Sequence, residues 1–307
     1  MEIHFNMKEV RTMYELIPVG EKSYYIQSPA KIGIYRQSET EVYLIDSGSD
    51  KDAGRRCRKV LDEQGWTCRG ILVTHSNADH VGGCAYLQKQ YGCKVFSGGI
   101  EGAITAYPVL EPAFLYGGYP FKELRHKFLM AQPSVVSPFT DPDFPQEVEI
   151  LPLPGHFFDM AGFRTPDGTV FLADCLSSDA SLEKYGISFI YDVSAYLQTL
   201  EQVMTMSAPM FVPSHADATA SIAPLCQRNY DKVLEIAEHI CTLCQDGLLF
   251  EELLEKLFDD YQLTMTYEQY VLIGSTVRSY LSWLKDAGRM DGAIEGSRIV
   301  WRCVKNA

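Results

Sequence analysis

Four side chains suited to metal binding follow a single short apolar segment. Residues 71–73 predict a buried strand, and His75, Asn77, Asp79 and His80 come directly after it, ahead of a pair of glycines. Divalent transition metals prefer imidazole nitrogen and carboxylate oxygen donors that are held close together. The segment is therefore a candidate metal site, and a bound metal would support hydrolytic chemistry.

A histidine pair at this spacing is, taken alone, more often chance than a metal site. Three later apolar segments also end in a metal-binding side chain. They are 151–156, which ends in His156 after a Pro-Gly turn, 169–174, which ends in Asp174, and 211–215, which ends in His215. Four of the seven histidines thus follow predicted strands, whereas His4, His126 and His239 lack that context and are predicted to be surface or structural residues.

Over residues 15–220 the order and spacing of these segments resemble the metallo-β-lactamase superfamily, whose signature is His-x-His-x-Asp-His. The segment that begins at His75 departs from that signature once, since Asn77 stands where the family usually has its second histidine. The early segment 42–48 resembles the family strand that ends in Asp-x-Gly. The resemblance implies that its carboxylate, Asp46, supports the site without binding metal.

The resemblance also implies two adjacent metal positions, here called the first site and the second site. The first site would be bound by His75 and His156, with Asn77 at the position of the missing third imidazole. The second would be bound by Asp79, His80 and His215, with Asp174 bridging both. An amide oxygen is a neutral, weak donor, so we expect unequal occupancy, with the second site filling first. The alternative is a binuclear centre in which Asn77 coordinates through its oxygen or holds a water.

The same ligand set indicates the cofactor. Zn²⁺ is the expected metal, as one or two ions, but two imidazoles and two carboxylates also accept Fe(II), Mn(II) or Ni(II).

The predicted fold class is α/β, a four-layer αβ/βα sandwich of the metallo-β-lactamase type, which agrees with strands that alternate with helices. Short strands are predicted within 14–46, helices over 51–65 and 82–91, and a hairpin over 162–172 with a Pro-Asp-Gly turn. The predicted domains are 1–244, the metallo-β-lactamase-like part, and 245–307, a C-terminal appendage.

An aromatic-rich insertion over 98–146 is placed by chain order above the metal face. Its aromatic side chains would either line a substrate pocket, pack the insertion against the sheet, or form a dimer contact. The insertion also carries a basic cluster in an acidic chain, so Lys122, Arg125 and Tyr116 are predicted substrate-binding residues for an anionic group. The alternative is a solvated basic surface.

The tail contains two predicted helices, 248–257 and 267–285, and a predicted hairpin at 294–304. This order resembles the winged-helix appendage of several hydrolases with the metallo-β-lactamase fold. The tail has about ten acidic and seven basic residues, so packing or dimerisation is favoured over reading DNA. Cys241 and Cys244 form a Cys-x-x-Cys without a second pair, which favours a helix core over a zinc ribbon.

Composition and charge indicate which binding partners and which cellular compartment to expect. The net charge of −13 speaks against a general nucleic-acid binder, and no apolar run approaches the ~20 residues that span a membrane. The N-terminus at 1–8 lacks signal-peptide character, and the nine scattered cysteines are typical of a reducing cytoplasm. We therefore expect a cytoplasmic protein with a small-molecule substrate; the sequence leaves a homodimer open.

These observations favour a metal-dependent hydrolase. A metal-bound hydroxide would attack an ester-like bond of a small thioester, ester, lactone or phosphoester, with Asp79 and Asp174 as ionised ligands that also orient the nucleophile. One alternative is a mononuclear iron enzyme of oxidative or sulfur chemistry on the same fold. Another is a non-catalytic metal-binding protein with a decayed site. An exported β-lactamase is disfavoured by the expected cytoplasmic location.

Overall fold

Two β-sheets form the centre of the computed structural model, which describes residues 13–304. His4 and the N-terminal segment 1–8 lie outside the described residues. The large sheet has seven strands in chain order: β1 (Leu16–Pro18), β2 (Ser23–Ile26), β3 (Ile32–Arg36), β4 (Glu41–Ile45), β5 (Thr67–Leu72), β6 (Lys94–Phe96) and β7 (Val136–Ser137). Strands β1 to β4 pair antiparallel, and β4 to β7 pair parallel.

The small sheet has four strands in the order β11-β10-β9-β8. They are β8 (Glu149–Pro152), β9 (Ala161–Arg164), β10 (Val170–Ala173) and β11 (Phe211–Pro213). Strands β8, β9 and β10 pair antiparallel, and β10 and β11 pair parallel. The predicted hairpin at 162–172 is therefore confirmed, with its turn between β9 and β10.

Aromatic side chains fill the space between the two sheets. Tyr25, Tyr35 and Phe96 of the large sheet form one buried cluster with Phe163 and Phe171 of the small sheet. Alternation of side chains along a strand gives each sheet a second face, which helices must cover. This arrangement places the core between the sheets and along their outer faces.

The helices cover those outer faces. The described helices are α1 (Lys51–Gln64), α2 (Ala78–Val81), α3 (Cys84–Tyr91), α4 (Gly99–Ala106), α5 (Leu110–Tyr116), α6 (Asp179–Tyr185), α7 (Val193–Thr205), α8 (Ala223–Leu243), α9 (Phe250–Asp260) and α10 (Tyr267–Asp286). Apolar residues of α1 and α3 cluster with the large sheet, and those of α7 and α8 cluster with the small sheet. The predicted four-layer sandwich is confirmed.

One helix boundary differs slightly from the prediction. The helix predicted over 82–91 is α3, which begins at Cys84, two residues later than predicted. The insertion at 98–146 contributes strand β7, which pairs with β6. The insertion also contains α4, α5 and a 3-10 turn at Lys122–Leu124.

The C-terminal region contains α9, α10 and a small sheet of β12 (Leu248–Leu249), β13 (Met290–Glu295) and β14 (Arg298–Cys303), in the order β12-β14-β13. The hairpin begins at Met290, earlier than predicted. One apolar cluster runs from the small sheet through α8 to α9 and α10, and it includes the buried Cys241 and Cys244. The division at residue 244 stays a prediction.

Among the helices of residues 13–304, none has the length and apolar character to span a bilayer.

We expect the inter-sheet core to dominate the free energy of unfolding. Phe163 is fully buried and its ring lies 5.8 Å from that of Phe139. Phe163→Ala should lower the free energy of unfolding by about 3–5 kcal/mol, because it removes a buried aromatic ring and leaves a cavity. Phe128→Ala, at a side chain that is 68% exposed, is the matched control and should change it little. Chemical denaturation of both variants measures the difference, and equal values would contradict this account of the core.

Candidate metal centre

The predicted ligands meet where strands of both sheets end. His75 follows β5 and Asp46 follows β4 in the large sheet, whereas His156, Asp174 and His215 follow β8, β10 and β11 of the small sheet. The remaining three, Asn77, Asp79 and His80, lie at or just before α2. Side chains more than 100 residues apart in sequence therefore converge at one edge of the sandwich.

Two glycines allow the backbone to hold these loops. A Cβ at Gly82 would lie 2.2 Å from the backbone carbonyl group of Ser49, so α2 packs directly on the chain after β4. Gly155 precedes His156 with a φ of +122°, and a Cβ there would lie 2.3 Å from the backbone nitrogen of Tyr196. Only glycine fits such a close approach in that conformation.

The second site is the tighter of the two. One ligand atom each from Asp79, His80, Asp174 and His215 lies within 4.8 Å of the others. Asp174 Oδ1 is 3.2 Å from His80 Nε2, and Asp174 Oδ2 is 3.1 Å from His215 Nε2. Asp79 Oδ2 completes the group at 3.4 Å from His215 Nε2. The two oxygens of Asp174 thus face different histidines.

The first site lies beside it. His75, His156 and Asp174 also bring one ligand atom each within 4.8 Å. His156 Nε2 is 3.8 Å from Asp174 Oδ2 and 3.2 Å from the amide oxygen Oδ1 of Asn77. The Asn77 amide nitrogen donates to Glu111 Oε1 at 2.7 Å. Both groups include Asp174.

The four histidines all use Nδ1 for a bond that points away from the site. His156 Nδ1 donates to the Phe189 carbonyl at 3.0 Å, and His215 Nδ1 donates to the Pro29 carbonyl at 2.9 Å. His80 Nδ1 donates to Asp46 Oδ2 at 2.8 Å.

Thr74 fixes the last ring. Its hydroxyl donates to Asp46 and so accepts from His75 Nδ1 at 3.0 Å. Every imidazole therefore presents Nε2 to the site, and Asp46 supports the site without being one of the grouped ligands.

The inward-facing atoms are thus almost all hydrogen-bond acceptors, and several lack a partner. His75 Nε2 is buried without a hydrogen bond among the described residues, and His80 Nε2 and Asp174 Oδ1 have no partner there except each other, at 3.2 Å. A buried polar atom without a partner costs about 1–3 kcal/mol, and such atoms call for an ion or a bound molecule. Four imidazole nitrogens with carboxylate and amide oxygens fit a divalent metal.

Electrostatics divides the histidines into two pairs. Burial lowers the pKa of His75 and His156, so both stay neutral. Burial would also lower the pKa of His215, but Asp174 and Asp79 outweigh it and raise that pKa to about 10. The carboxylates of Asp174, Asp79 and Asp46 likewise outweigh burial and raise the pKa of His80. Without a metal, His80 and His215 therefore carry protons at the position of the second site.

Comparisons with known proteins identify the family of this chain. A family model described as the metallo-beta-lactamase superfamily matches residues 28–215, more than half of the chain. The chain belongs to the metallo-β-lactamase superfamily. Two solved structures share the fold over nearly the whole chain of this superfamily member.

One is a beta-lactamase domain protein from Burkholderia ambifaria, with a TM-score of 0.72 and 15% identity over 97% of this chain and 96% of that one. The other is a metallo-beta-lactamase family protein from Thermus thermophilus, with a TM-score of 0.68 and 17% identity over 94% and 98%. At these coverages the likeness of fold extends into the C-terminal helices.

Curated relatives match shorter stretches. A hydroxyacylglutathione hydrolase of Rhodopseudomonas palustris is 34% identical over 120 residues, which is 39% of this chain and 38% of the relative. One from Nitrobacter hamburgensis is 54% identical over 37 residues, 12% and 14% of the two chains. A beta-lactamase-like protein 2 homolog of Drosophila melanogaster is 24% identical over 193 residues, 58% and 59%. The matches span less than two thirds of each relative.

A cavity of about 520 Å³ adjoins the metal centre of this superfamily member. His156, Asp174 and His215 line it, together with Ser188, Phe189 and residues of α10. The sequence did not reveal the role of α10, because its apolar spacing is that of any packed helix. Glu111 was also missed, since an isolated glutamate in an insertion carries no motif.

The predicted substrate-binding residues lie elsewhere. Within residues 13–304, none of Lys122, Arg125 and Tyr116 lines the cavity at the metal centre. The Arg125 guanidinium donates to the Tyr119 hydroxyl at 2.8 Å, and Tyr116 lines a separate cavity. Their role in binding substrate stays a prediction.

The other two described histidines form pairs away from the centre. His126 contacts Glu268 and His239 contacts Asp260, each at 2.8 Å.

We expect protein from metal-replete growth to contain between one and two equivalents of a transition metal. Asp174→Ala should remove most of it, because Asp174 is shared by both groups of ligands. Asp143→Ala, which removes an exposed carboxylate paired with Lys94, is the control and should keep the metal. Elemental analysis of chelator-free preparations measures the content. Unchanged metal in Asp174→Ala would overturn the ligand assignment.

Metal binding should release protons. The raised pKa values of His80 and His215 mean that both rings hold protons at neutral pH when no metal is bound. A metal must displace these protons, so its apparent affinity should fall as pH falls, by roughly tenfold per pH unit for each proton displaced. Calorimetric titration in two buffers of different ionisation enthalpy would count the protons. Heats that do not depend on the buffer would contradict this prediction.

Proposed function

We propose that this superfamily member is a metal-dependent hydrolase, with Zn²⁺ as the expected ion, that cleaves an ester-like bond of a small substrate. The observation that carries the proposal is the convergence of acceptor atoms on one side of a cavity of about 520 Å³. When bound, a divalent metal polarises the bond to be cleaved and acidifies a water. His75, His156, Asp79, His80, His215 and Asp174 would hold it.

The carboxylates give the chain its own proton-handling groups. Burial alone would raise the pKa of Asp79 and of Asp174, but His80 and His215 lower both, so each stays ionised at neutral pH. The Asp79 side chain is 44% exposed and that of Asp174 is 11% exposed. Asp174 nonetheless lines the cavity, so it is the carboxylate better placed to orient a water that enters from there.

The reaction balances without an additional cofactor. Water adds to the acyl carbonyl carbon, the bond from that carbon to sulfur or oxygen breaks, and the thiol or alcohol leaves with a proton. The polar residues Ser188 and Thr276 and the apolar residues Leu272 and Ile273 line the cavity. Such a lining suits a small acyl compound with a few polar groups.

The names of the relatives make thioesters the first substrates to test. Two of the curated relatives described above are hydroxyacylglutathione hydrolases. A screen of small thioesters, esters, lactones and phosphoesters with metal-loaded protein would test the proposal. Turnover that is lost with Asp174→Ala supports it, and metal-loaded protein that turns over none of the four classes counts against it. Substrate-dependent oxidation by protein that retains iron would instead favour iron chemistry.

The cavity assignment makes a separate prediction. Gln269 of α10 lines the cavity at the metal centre, so Gln269→Trp should lower kcat/KM roughly tenfold or more by filling space that substrate needs. Metal content should not change. Ser282→Trp introduces the same ring at an exposed position of α10 and is the matched control. Equal kinetics for the two variants would place the substrate elsewhere, and Lys122→Ala and Arg125→Ala would then be examined next.

A further inference from the structure

Asn77 is the position at which the chain departs from the family signature, and each end of its side-chain amide faces a different residue. Its amide lies between two partners: the oxygen Oδ1 is 3.2 Å from His156 Nε2, and the nitrogen Nδ2 is 2.7 Å from Glu111 Oε1. A glutamate oxygen accepts the amide hydrogen, so the bond to Glu111 fixes which end of the amide faces the first site.

The contact between Asn77 and His156 brings two acceptors together. His156 Nδ1 must be the protonated nitrogen, because its partner is the Phe189 carbonyl, which only accepts. Nε2 then presents a lone pair toward Asn77 Oδ1, which is also an acceptor. Two lone pairs at 3.2 Å repel each other unless a proton lies between them or a metal cation lies beside both. The amide oxygen therefore faces the position where a metal in the first site would be bound.

Glu111 is held in place independently of Asn77. It lies in the first turn of α5, is 3% exposed, and belongs to the insertion that sequence patterns left unexplained. In the same helix, the Phe114 ring lies 6.2 Å from that of Phe157, which follows His156, and 5.5 Å from that of Tyr191, whose backbone bonds to Gly155. Leu115 packs in a buried cluster with Val271 of α10. The helix is thus fixed from two directions, and Glu111 with it.

We propose that Glu111 is a positioning residue that holds the Asn77 amide oxygen as the third protein ligand of the first site beside His75 and His156, with Asp174 shared. A weak amide donor is strengthened when its orientation is fixed beforehand, because no rotamer freedom is lost on binding. The pair Asn77–Glu111 takes the place of the usual imidazole. The inference rests on the proposed metal binding but not on the hydrolytic reaction.

Variants of Glu111 test the proposal through metal affinity. Glu111→Leu cannot accept the Asn77 amide hydrogen, and it should weaken the first site about 10-fold to 100-fold. Among the described residues no hydrogen bond joins the Glu111 side chain to a second-site ligand, so the second site should lose much less affinity than the first. Glu111→Gln retains a carbonyl oxygen that can accept the same hydrogen and should stay within about threefold of the unmodified protein. Calorimetric titration with Zn²⁺ gives both affinities, and Co²⁺ absorption spectra report the ligand set.

The Asn77→His background separates orientation from packing. A histidine at 77 does not need Glu111 to orient an amide, so Asn77→His alone should tighten the first site by a factor of about 10 or more. Adding Glu111→Leu to that background should then cost little affinity. An equal loss in both backgrounds, or equal weakening of both sites, would mean that Glu111 only supports the fold and would overturn the proposal.

Asn77→Ala tests the amide itself and remains informative if Glu111→Leu does not fold. It should weaken the first site by as much as Glu111→Leu does, with the second site unchanged. An unchanged first site in Asn77→Ala would show that the amide oxygen is not a ligand. Unmodified protein that binds no metal at all would instead overturn the proposed function, so the two failures are distinguishable.

Discussion

The structure depends on a concentration of hydrogen-bond acceptors at one edge of the sandwich. Imidazole nitrogens, carboxylate oxygens and an amide oxygen face one another there, and several are buried without a partner among the described residues. Lone pairs and negative charge in a low-dielectric setting repel each other, so the cluster is stable only with protons or a cation among its members. Each ligand side chain must therefore be fixed by contacts on the side that faces away from the cluster, and these contacts must be strong enough to resist that repulsion.

The sandwich supplies these contacts from well-separated parts of the chain. The Pro29 carbonyl holds His215, and Asp46, which also accepts from the Thr74 backbone at 2.8 Å, holds His80. Asp46 itself adopts a φ of +63°, which is costly for a residue with a Cβ. That conformation persists because both of its carboxylate oxygens are engaged. Backbone strain at Asp46 is thus offset by the hydrogen bonds that orient the metal-facing histidines.

Sequence reasoning predicted the parts that repeat a local pattern. Apolar strands that end in His156, Asp174 and His215 could be located because a strand end fixes where the next side chain lies. Glu111 and the wall provided by α10 could not be located in this way, since their positions come from packing between segments distant in the chain. The same reason explains the late start of the helix predicted over 82–91. Gly82 packs against the chain after β4, and the helix begins only at Cys84.

The C-terminal region is joined to the metal centre by hydrogen bonds as well as by packing. The Thr276 hydroxyl of α10 accepts from the Ile190 backbone at 3.2 Å, and the Ser279 hydroxyl donates to the Tyr191 carbonyl at 2.6 Å. Those two residues directly follow Phe189, whose carbonyl fixes the His156 ring. α10 therefore does more than close a cavity. It holds the segment whose Phe189 carbonyl orients the His156 ring, so substitutions at Thr276 or Ser279 should disturb that ring more than substitutions elsewhere in α10.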